Sequence, residues 1–214
     1  MEEIASEGGR ASASVVDATD PAEVADHVAG AEKVDVAFNA IGLPPEELGY
    51  PARSTDLDLE VFMKPQRIIL ASTFLTSRSA ATRMASDGGG GSVVTLSATL
   101  TGVNVPFMAS LTATCGAIEA MTRTLAAEFG QAGVRVNCLR GDAMPETSTI
   151  QQTGAGQASL LGIDVSELPM AAAGTLARPR TVAETAAAAA FLASDAASGI
   201  GSQVLTVSDS AMAG

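Results

Sequence analysis

The sequence has few of the residues that cross-link small domains or that most often take part in catalysis. Among 214 residues there are two cysteines, one tyrosine, one histidine and no tryptophan. Cys115 and Cys138 are too few for a disulfide framework and match no zinc-site spacing, so both are interpreted as buried free thiols. The histidine, His27, has no partner motif nearby and is interpreted as a surface or half-buried helix residue. Because aromatic residues make up only 3% of the chain, the core must be aliphatic.

Positive charge is equally scarce. Acidic residues number 24 against 12 lysines and arginines, which gives a formal charge of −12, and Lys33 and Lys64 are the only lysines. A field of this sign repels phosphate backbones, so a nucleic-acid partner is not expected. The longest apolar run, AAAAAFLA at 186–193, is far shorter than the ~20 residues of a membrane span, and the acidic N-terminus does not resemble a signal peptide. We therefore expect a cytoplasmic protein without membrane contact.

The length of the chain and the order of its segments indicate an α/β fold. A length of 214 residues suits one domain over 1–214, with two domains as the alternative. Apolar, β-branched segments predict strands at 12–18, 34–40, 92–98, 134–139 and 203–208. The predicted helices begin at Asp20, extend over 57–86 with an interruption near Pro65, cover 108–130, and begin again at the capping box T-V-A-E of 181–184. This alternation implies a parallel sheet covered by helices on both faces.

Two glycine-rich segments are predicted to be irregular. A phosphate-binding loop follows a strand and opens a helix, whereas the glycine run 88–91 ends a helix and precedes a strand, so it predicts a turn. Residues 141–175 are rich in Gly, Ser, Thr and Pro, and we expect at most a short helix there.

The fragments VDVAFNAIG, SVVTLSA, AIEAMTRTLAAEFG and GVRVNCLR, in this order, resemble the short-chain dehydrogenase/reductase family. The resemblance covers nearly the whole chain. It implies a Rossmann-like parallel sheet flanked by helices, NAD or NADP as cofactor, and hydride transfer between that cofactor and a carbonyl or alcohol.

Four positions match residues with which the family contacts its cofactor. Asp17 corresponds to the acidic residue beside the adenine, and Asn39 and Gly42 correspond to the first and last residues of the family's N-N-A-G motif. Thr147 corresponds to the threonine that approaches the nicotinamide amide or the phosphates. The alternative for each position is a polar residue of a turn or a strand end.

The positions that carry the family's chemistry do not match. Aligned on Ile118, the tyrosine position holds Leu111 and the lysine position four residues later holds Cys115. The serine position falls on Ala98, or on Ser97 if a gap of one residue is allowed, and the relay asparagine falls near Ile69. Loss of one general acid–base group costs about 10²–10⁴ in rate. We therefore predict no catalytic residue in this chain, and no metal ligand.

The glycine-rich motif and the first two strands of the family fold are also missing ahead of the strand predicted at 12–18. In the strand order 3-2-1-4-5-6, the first two strands lie between the third, here 12–18, and the fourth, here 34–40. Three arrangements are open: 12–18 pairs directly with 34–39, a partner chain fills the gap, or the chain is part of a longer product. The third is favoured. With the pyrophosphate site missing, we expect weak or absent cofactor binding.

Three functions remain open at this stage. The first is a short-chain dehydrogenase/reductase-like oxidoreductase by descent, inactive or strongly impaired as written. The second is a non-catalytic scaffold, ligand-binding or companion-subunit homologue. The third, covalent chemistry at Cys115, lacks a neighbouring base in the sequence. The resemblance also implies self-association through the helices 57–86 and 108–130. The substrate is not indicated.

Overall fold

The computed structural model describes residues 2–168 and 178–208, which are built around one parallel sheet. The strands follow one another in the order β1 (Val36–Asn39), β2 (Gly91–Ala98), β3 (Val134–Gly141) and β4 (Val204–Val207). The α-helices of these residues are α1 (Glu2–Ser6), α2 (Pro21–Ala29), α3 (Pro45–Leu48), α4 (Leu59–Phe62), α5 (Ala71–Asp87), α6 (Ala109–Phe129), α7 (Ser148–Leu161) and α8 (Val182–Ala193). The Rossmann-like α/β class predicted from the sequence is confirmed.

Helices cover both faces of this sheet. On one face, the paired residues Val93 and Val136 pack against Met84 of α5 and Leu125 of α6. On the other face, α8 buries Leu192 against the middle of β2 and β3. Each layer removes a large aliphatic area from water, which is the main stabilising contribution in a core with so few aromatic residues.

Two helix starts follow the predicted capping signals. Asp20 accepts hydrogen bonds from the backbone N–H groups of Ala22 (2.7 Å) and Glu23 (3.0 Å) at the start of α2. Thr181 and Glu184 form the reciprocal capping box at the start of α8. The start of α2 is not a reciprocal capping box, because the Glu23 carboxylate accepts from the N–H of Asp17 (2.7 Å) and not from that of Asp20.

The two long predicted helices are present. The interruption expected near Pro65 is confirmed, because α4 ends at Phe62 and a π-helical turn over Gln66–Leu70 leads into α5. Proline at this point removes a backbone donor and clashes with the preceding turn. None of the helices in 2–168 and 178–208 is long and apolar enough to cross a bilayer.

The strand predicted at 12–18 is wrong. These residues have no strand structure, and most of them are exposed ahead of α2. Direct pairing of 12–18 with 34–39, one of the three open arrangements, is therefore not the arrangement of this structure. A strand requires a hydrogen-bonding neighbour, and within 2–168 and 178–208 no strand lies beside this segment. Among the described residues β1 is consequently an edge strand that pairs only with β2.

The expectation of at most a short helix over 141–175 is also wrong for the described part, because α7 has 14 residues. Its two glycines lower the helix propensity, but packing outweighs this cost. A Cβ atom on Gly156 would lie only 2.8 Å from Pro51 Cγ, so glycine permits the close approach of α7 to that loop. Residues 169–175 lie outside the described residues.

Candidate functional site

The carboxyl ends of the four strands lie at one edge of the sheet. In open parallel sheets, ligands bind outside this edge. Here it is formed by the ends of β1 at Asn39, β2 at Ala98, β3 at Gly141 and β4 at Val207. Side chains that follow these ends, or that face α5 and α6 just below them, are the candidate site residues.

A row of polar side chains crosses the sheet at this edge. Ser97 of β2 pairs with Arg140 of β3, which in turn pairs with Thr206 of β4, so the three side chains share the α6 face. Of the two residues offered by the sequence for the family's serine, Ser97 therefore faces α6. Ala98 points to the opposite face.

Glu119 of α6 forms hydrogen bonds with this row of side chains. Its Oε1 atom accepts hydrogen bonds from the hydroxyls of Ser97 (2.8 Å) and Thr101 (2.8 Å) and from Nε of Arg140 (2.8 Å). Its Oε2 atom accepts from a terminal nitrogen of Arg140 at 2.6 Å. The result is a bidentate ion pair with the carboxylate buried and the guanidinium mostly so.

The pKa of Glu119 reflects two opposing effects. Burial alone would raise the pKa, but hydrogen bonds from Arg140, Thr101 and Ser97, together with the charge of Arg140, hold it below its ordinary value of 4.5. Glu119 is therefore an anion at neutral pH, and the Ser97 hydroxyl donates its hydrogen bond to it. The hydroxyl and the carboxylate are thus hydrogen-bonded to each other within the fold.

Sequence patterns did not single out Glu119 and Arg140. A signal was nevertheless present, because Arg140 directly follows the apolar segment VRVNCL (134–139) and Glu119 is adjacent to the core residue Ile118. Charged residues in buried segments are almost always paired. Asp142 is a further acid at this edge, where it accepts from Thr99 (3.1 Å) and from Ser208.

The positions that correspond to the family's tyrosine and relay asparagine are apolar in structure as well as in sequence. Tyr50, Leu48 and Met108 form a buried cluster, against which Leu111 and Ile69 pack with Ile68 and Leu100. Burial, with a smaller contribution from the charge of an ionised Cys115 thiol nearby, raises the pKa of Tyr50 to about 12. The only tyrosine of the chain thus lies beside Leu111, but its pKa is further from neutral pH than that of an ordinary tyrosine.

Both cysteines are buried free thiols, as predicted. Burial raises the pKa of Cys115 to about 11, against a smaller lowering by a hydrogen bond with the Ala98 backbone. Burial likewise raises the pKa of Cys138, whose thiol donates to the Ser97 oxygen at 3.4 Å. Covalent chemistry at Cys115 has no support here, because the thiolate is disfavoured.

We expect neither thiol to react with an aromatic disulfide reagent while the protein is folded, since both are buried and protonated at neutral pH. Unfolding in urea should release two thiols per chain. A spectrophotometric thiol titration with and without denaturant measures this. One equivalent reacting rapidly in the native protein would contradict the burial of Cys115 or Cys138.

The four predicted cofactor positions are placed differently from one another. Asp17 is exposed, and hydrogen bonds from the hydroxyl and N–H of Thr19 lower its pKa. Gly42 follows β1, and a Cβ there would face open space. Thr147 caps α7, donating to the Met144 carbonyl at 2.8 Å.

Asn39 is buried at the end of β1, and its side-chain amide forms hydrogen bonds within the protein. Its oxygen accepts from the Ile41 N–H and the Thr73 hydroxyl, both at 3.3 Å, and its nitrogen donates to Thr76. The four positions remain predicted cofactor contacts. However, the polar atoms of Asn39 and Thr147 are largely committed within the protein, so the set fits a tightly held dinucleotide poorly.

The described residues have two further features that bear on ligand binding. A cavity of about 700 Å³ lies at the opposite end of the sheet, where Val36, Gly91 and Val134 begin their strands, and glycines form part of its lining. It is remote from the carboxyl edge and brings no acid–base group to that edge. Among the same residues, no group of three or more His, Cys, Asp or Glu side chains could hold a metal ion.

A parallel sheet with helices on both faces, and a polar site at its carboxyl edge, define a Rossmann-like domain of the kind that binds dinucleotides. The family described as enoyl-(acyl carrier protein) reductase matches residues 1–209. The chain belongs to the short-chain dehydrogenase/reductase family, as its motifs predicted.

Individual relatives agree with this membership. The chain is 31% identical over 175 residues to a 2,5-dichloro-2,5-cyclohexadiene-1,4-diol dehydrogenase of Sphingobium indicum, with 82% of this chain and 66% of the relative covered. It is 28% identical over 186 residues to the inactive 2-(S)-hydroxypropyl-CoM dehydrogenase 2 of Xanthobacter autotrophicus, with 86% and 80% covered. The chain thus spans about two thirds to four fifths of these two relatives.

A solved structure shows the same fold with cofactor. It is described as an NAD(P)-dependent gluconate 5-dehydrogenase from Beutenbergia cavernae and contains NADP at low occupancy. The identity is 30% and the TM-score 0.80, over 97% of this chain and 79% of that one.

Proposed function

We propose that this chain is an oxidoreductase by descent that cannot carry out the proton transfer of its family, and that it is inactive or strongly impaired as written. The observation that carries this proposal is the apolar cluster of Tyr50, Leu111 and Ile69. A tyrosine that serves as proton donor needs a pKa lowered towards the working pH. Tyr50 has its pKa raised to about 12.

The lysines do not compensate for this loss. Lys33 lies before β1, at the amino-terminal end of the sheet, and pairs with Asp35 on the surface at 2.5 Å. Lys64 is exposed between α4 and the π-helical turn. Neither ammonium group stands where the buried Cys115 replaces the family's lysine. With both groups of the tyrosine–lysine pair replaced, we expect a loss larger than the ~10²–10⁴ in rate that one acid–base group contributes.

The cofactor that the family implies is NAD or NADP, which supplies or accepts the hydride when bound. Asp17, Asn39, Gly42 and Thr147 are the positions that we propose to contact it. Because Asn39 and Thr147 are engaged elsewhere, we propose weak or absent binding. The choice between NAD and NADP does not follow from these residues.

The second candidate function is that of a non-catalytic homologue, either a scaffold, a ligand-binding protein or a companion subunit. The relative from Xanthobacter autotrophicus that is named inactive supports this possibility, since the family includes a member without activity. We further propose that the chain has no nucleic-acid partner, because its net charge is −12. A cytoplasmic location remains a prediction. Self-association through α5 and α6 remains a prediction.

Calorimetric titration of the folded chain with NADH and NADPH tests the proposal. We expect no dissociation constant as tight as micromolar, and no oxidation of either cofactor above the rate without enzyme when a panel of aldehydes and ketones is added. Micromolar binding together with turnover would refute it. Micromolar binding without turnover would refute only the weak binding and would favour an impaired oxidoreductase, whereas a cooperatively folded chain without binding would favour the scaffold.

A matched variant separates the two causes of inactivity. Leu111→Tyr combined with Cys115→Lys restores the residue types of the family at both positions. If weak cofactor binding is the first obstacle, this variant stays as inactive as the parent. If binding is intact, turnover that appears only in the variant assigns the loss to these two positions.

A further inference from the structure

The side chain of Tyr50 carries a hydroxyl group that the fold does not use. Only 6% of Tyr50 is exposed. Within the described part of the chain, however, no hydrogen bond joins this hydroxyl to another group. Buried hydroxyls are normally paired, because an unpaired one loses its hydrogen bonds with water and gains none in return. The oxygen is not completely sealed from solvent, so a small molecule can reach it.

The side chains around this hydroxyl are apolar and uncharged. The buried residues of the cluster are joined by half-buried ones, and together they are Leu48, Met108, Ile68, Ile69, Leu100 and Leu111. Because Leu100 follows the end of β2 at Ala98, the cluster lies at the carboxyl edge of the sheet, where folds of this kind bind ligands. Among the described ionisable groups, only the Cys115 thiol influences the pKa of Tyr50. A charged ligand would therefore lose its hydration here without gaining an ion pair.

The backbone on either side of Tyr50 is held in place. The N–H of Tyr50 donates to the Pro45 carbonyl at 3.2 Å, after Gly49 has turned the chain with φ of +75°. On the other side, the N–H of Ala52 donates to the Phe107 carbonyl at 2.9 Å. The phenol is thus a donor whose position is fixed before a ligand arrives, which limits the entropy lost on binding.

We propose that the hydroxyl of Tyr50 is a ligand-binding group, which donates a hydrogen bond to a neutral, apolar molecule that carries one acceptor and packs against Leu111 and Ile69. Leu111 stands at the family's tyrosine position, so a phenol reaches this part of the site from the loop after α3 instead. The phenol donates a hydrogen bond and transfers no proton, and the ligand is bound unchanged. The inference rests on the proposed function, because it names the ligand class of the non-catalytic homologue.

The stability of two variants tests whether the hydroxyl is available to a ligand. Tyr50→Phe removes only this hydroxyl and should leave the urea midpoint unchanged or raise it, because no bond within the protein is lost. Ser110→Ala is the matched control, since the buried Ser110 hydroxyl donates to the Phe62 carbonyl at 2.7 Å and its removal should lower the midpoint. If Tyr50→Phe lowers the midpoint as much as Ser110→Ala does, the hydroxyl has a structural partner and the proposal is overturned.

Two matched probes test the ligand class. Cyclohexanone carries one acceptor, and methylenecyclohexane has the same ring without it. Ligand-observed NMR titrations should show that the protein binds cyclohexanone about tenfold more tightly than methylenecyclohexane, which is the ratio expected for one hydrogen bond. Tyr50→Phe should bind both probes equally. Cyclohexanecarboxylate should bind to neither protein, because the cluster offers its charge no partner.

The site of binding is read from Tyr50 itself. Because Tyr50 is the only tyrosine of the chain, protein made with isotope-labelled tyrosine gives one set of ring signals. We expect cyclohexanone to shift these signals saturably, with the same dissociation constant as in the ligand-observed titration. Equal affinity of the parent protein for cyclohexanone and methylenecyclohexane would overturn the proposal, and so would ring signals that do not move.

The titrations contain no NADH or NADPH, so their outcome does not depend on hydride transfer. Failure of the Tyr50 contact would leave the proposed inactivity of the chain as it stands. Oxidation of NADH in the presence of cyclohexanone would instead refute that inactivity, while the Tyr50 contact is still decided by the two titrations alone.

Discussion

Glu119→Ala is expected to lower the free energy of unfolding by about 3–5 kcal/mol, which is the usual cost of removing one partner from a buried ion pair. The carboxylate accepts four hydrogen bonds, and its loss leaves Arg140 charged between β3 and α6 with only the weak contact to Thr206 (3.4 Å). Because native domains are stable by only about 5–15 kcal/mol, the variant retains little stability. Urea denaturation followed by circular dichroism measures the change.

Two comparisons show whether the ion pair is the cause. Glu128→Ala removes an exposed glutamate from the same helix and should alter stability by less than about 0.5 kcal/mol. Glu119→Leu combined with Arg140→Leu removes both charges, so it should cost less than the sum of the two single changes. A cost below about 1 kcal/mol for Glu119→Ala would mean that solvent reaches the pair, contrary to the structure.

The same pair gives a pH dependence of known sign. The folded pKa of Glu119 is lower than its ordinary value of 4.5, so the folded protein binds fewer protons at this group than the unfolded chain does. The stability that it contributes is complete above the unfolded pKa and is lost as the pH falls through the folded pKa. Glu119→Gln should therefore lose less stability than the parent on acidification below about pH 4.5. Parallel curves for the two proteins would contradict the lowered pKa.

Strands β2 and β3 were predictable because they are buried on both faces, and burial makes a continuous apolar segment of the sequence. The ends of α6, predicted at 108 and 130, were also predictable to within one residue, because apolar residues recur at helical spacing as far as Phe129. In both cases one local pattern determines the structure, and the rest of the chain agrees with it.

The segment 12–18 has the same β-branched pattern as a strand, yet it forms none. Strand propensity describes how well a residue fits a pleated surface beside a neighbour, and the neighbour is a property of the whole fold. Helix α7 is the opposite case. Its glycines disfavour a helix locally, but the close contact between Gly156 and Pro51 requires a residue without a side chain.

For the candidate site, the sequence predicted only which catalytic residue types of the family are missing. Leu111 and Cys115 could be placed against the family motif because they stand at fixed positions of a regular helix. The pairing of Glu119 with Arg140 was not visible, because these residues come together only when α6 lies across β3. Their charges nevertheless indicated that each has a partner, because a buried charge is almost always paired. The hydrophobic periodicity of the sequence does not identify that partner.

The glycine run before β2 provides the second large effect, with Gly90→Ala expected to cost about 3 kcal/mol. Gly90 has φ of +66°, a conformation that costs an alanine about 1 kcal/mol. In addition, a Cβ there would lie 2.5 Å from the carbonyl oxygen of Gly133, the same oxygen that accepts the N–H of Gly91 at 3.2 Å. Relief of this clash requires the starts of β2 and β3 to separate, at a further cost of about 1–3 kcal/mol.

The neighbouring glycines separate backbone strain from the clash. Gly88 also has a positive φ, of +72°, but a Cβ there meets nothing within 4 Å, so Gly88→Ala should cost only about 1 kcal/mol. Gly89 has neither feature, so Gly89→Ala should be neutral or slightly stabilising. Urea denaturation of the three variants should give the order Gly90, Gly88, Gly89. If Gly90→Ala costs no more than Gly88→Ala, the Gly133 carbonyl is free to move, and the run of glycines serves only the turn. The predicted order instead makes Gly90 a contact between two backbones, which explains a glycine-rich stretch here without a phosphate to bind.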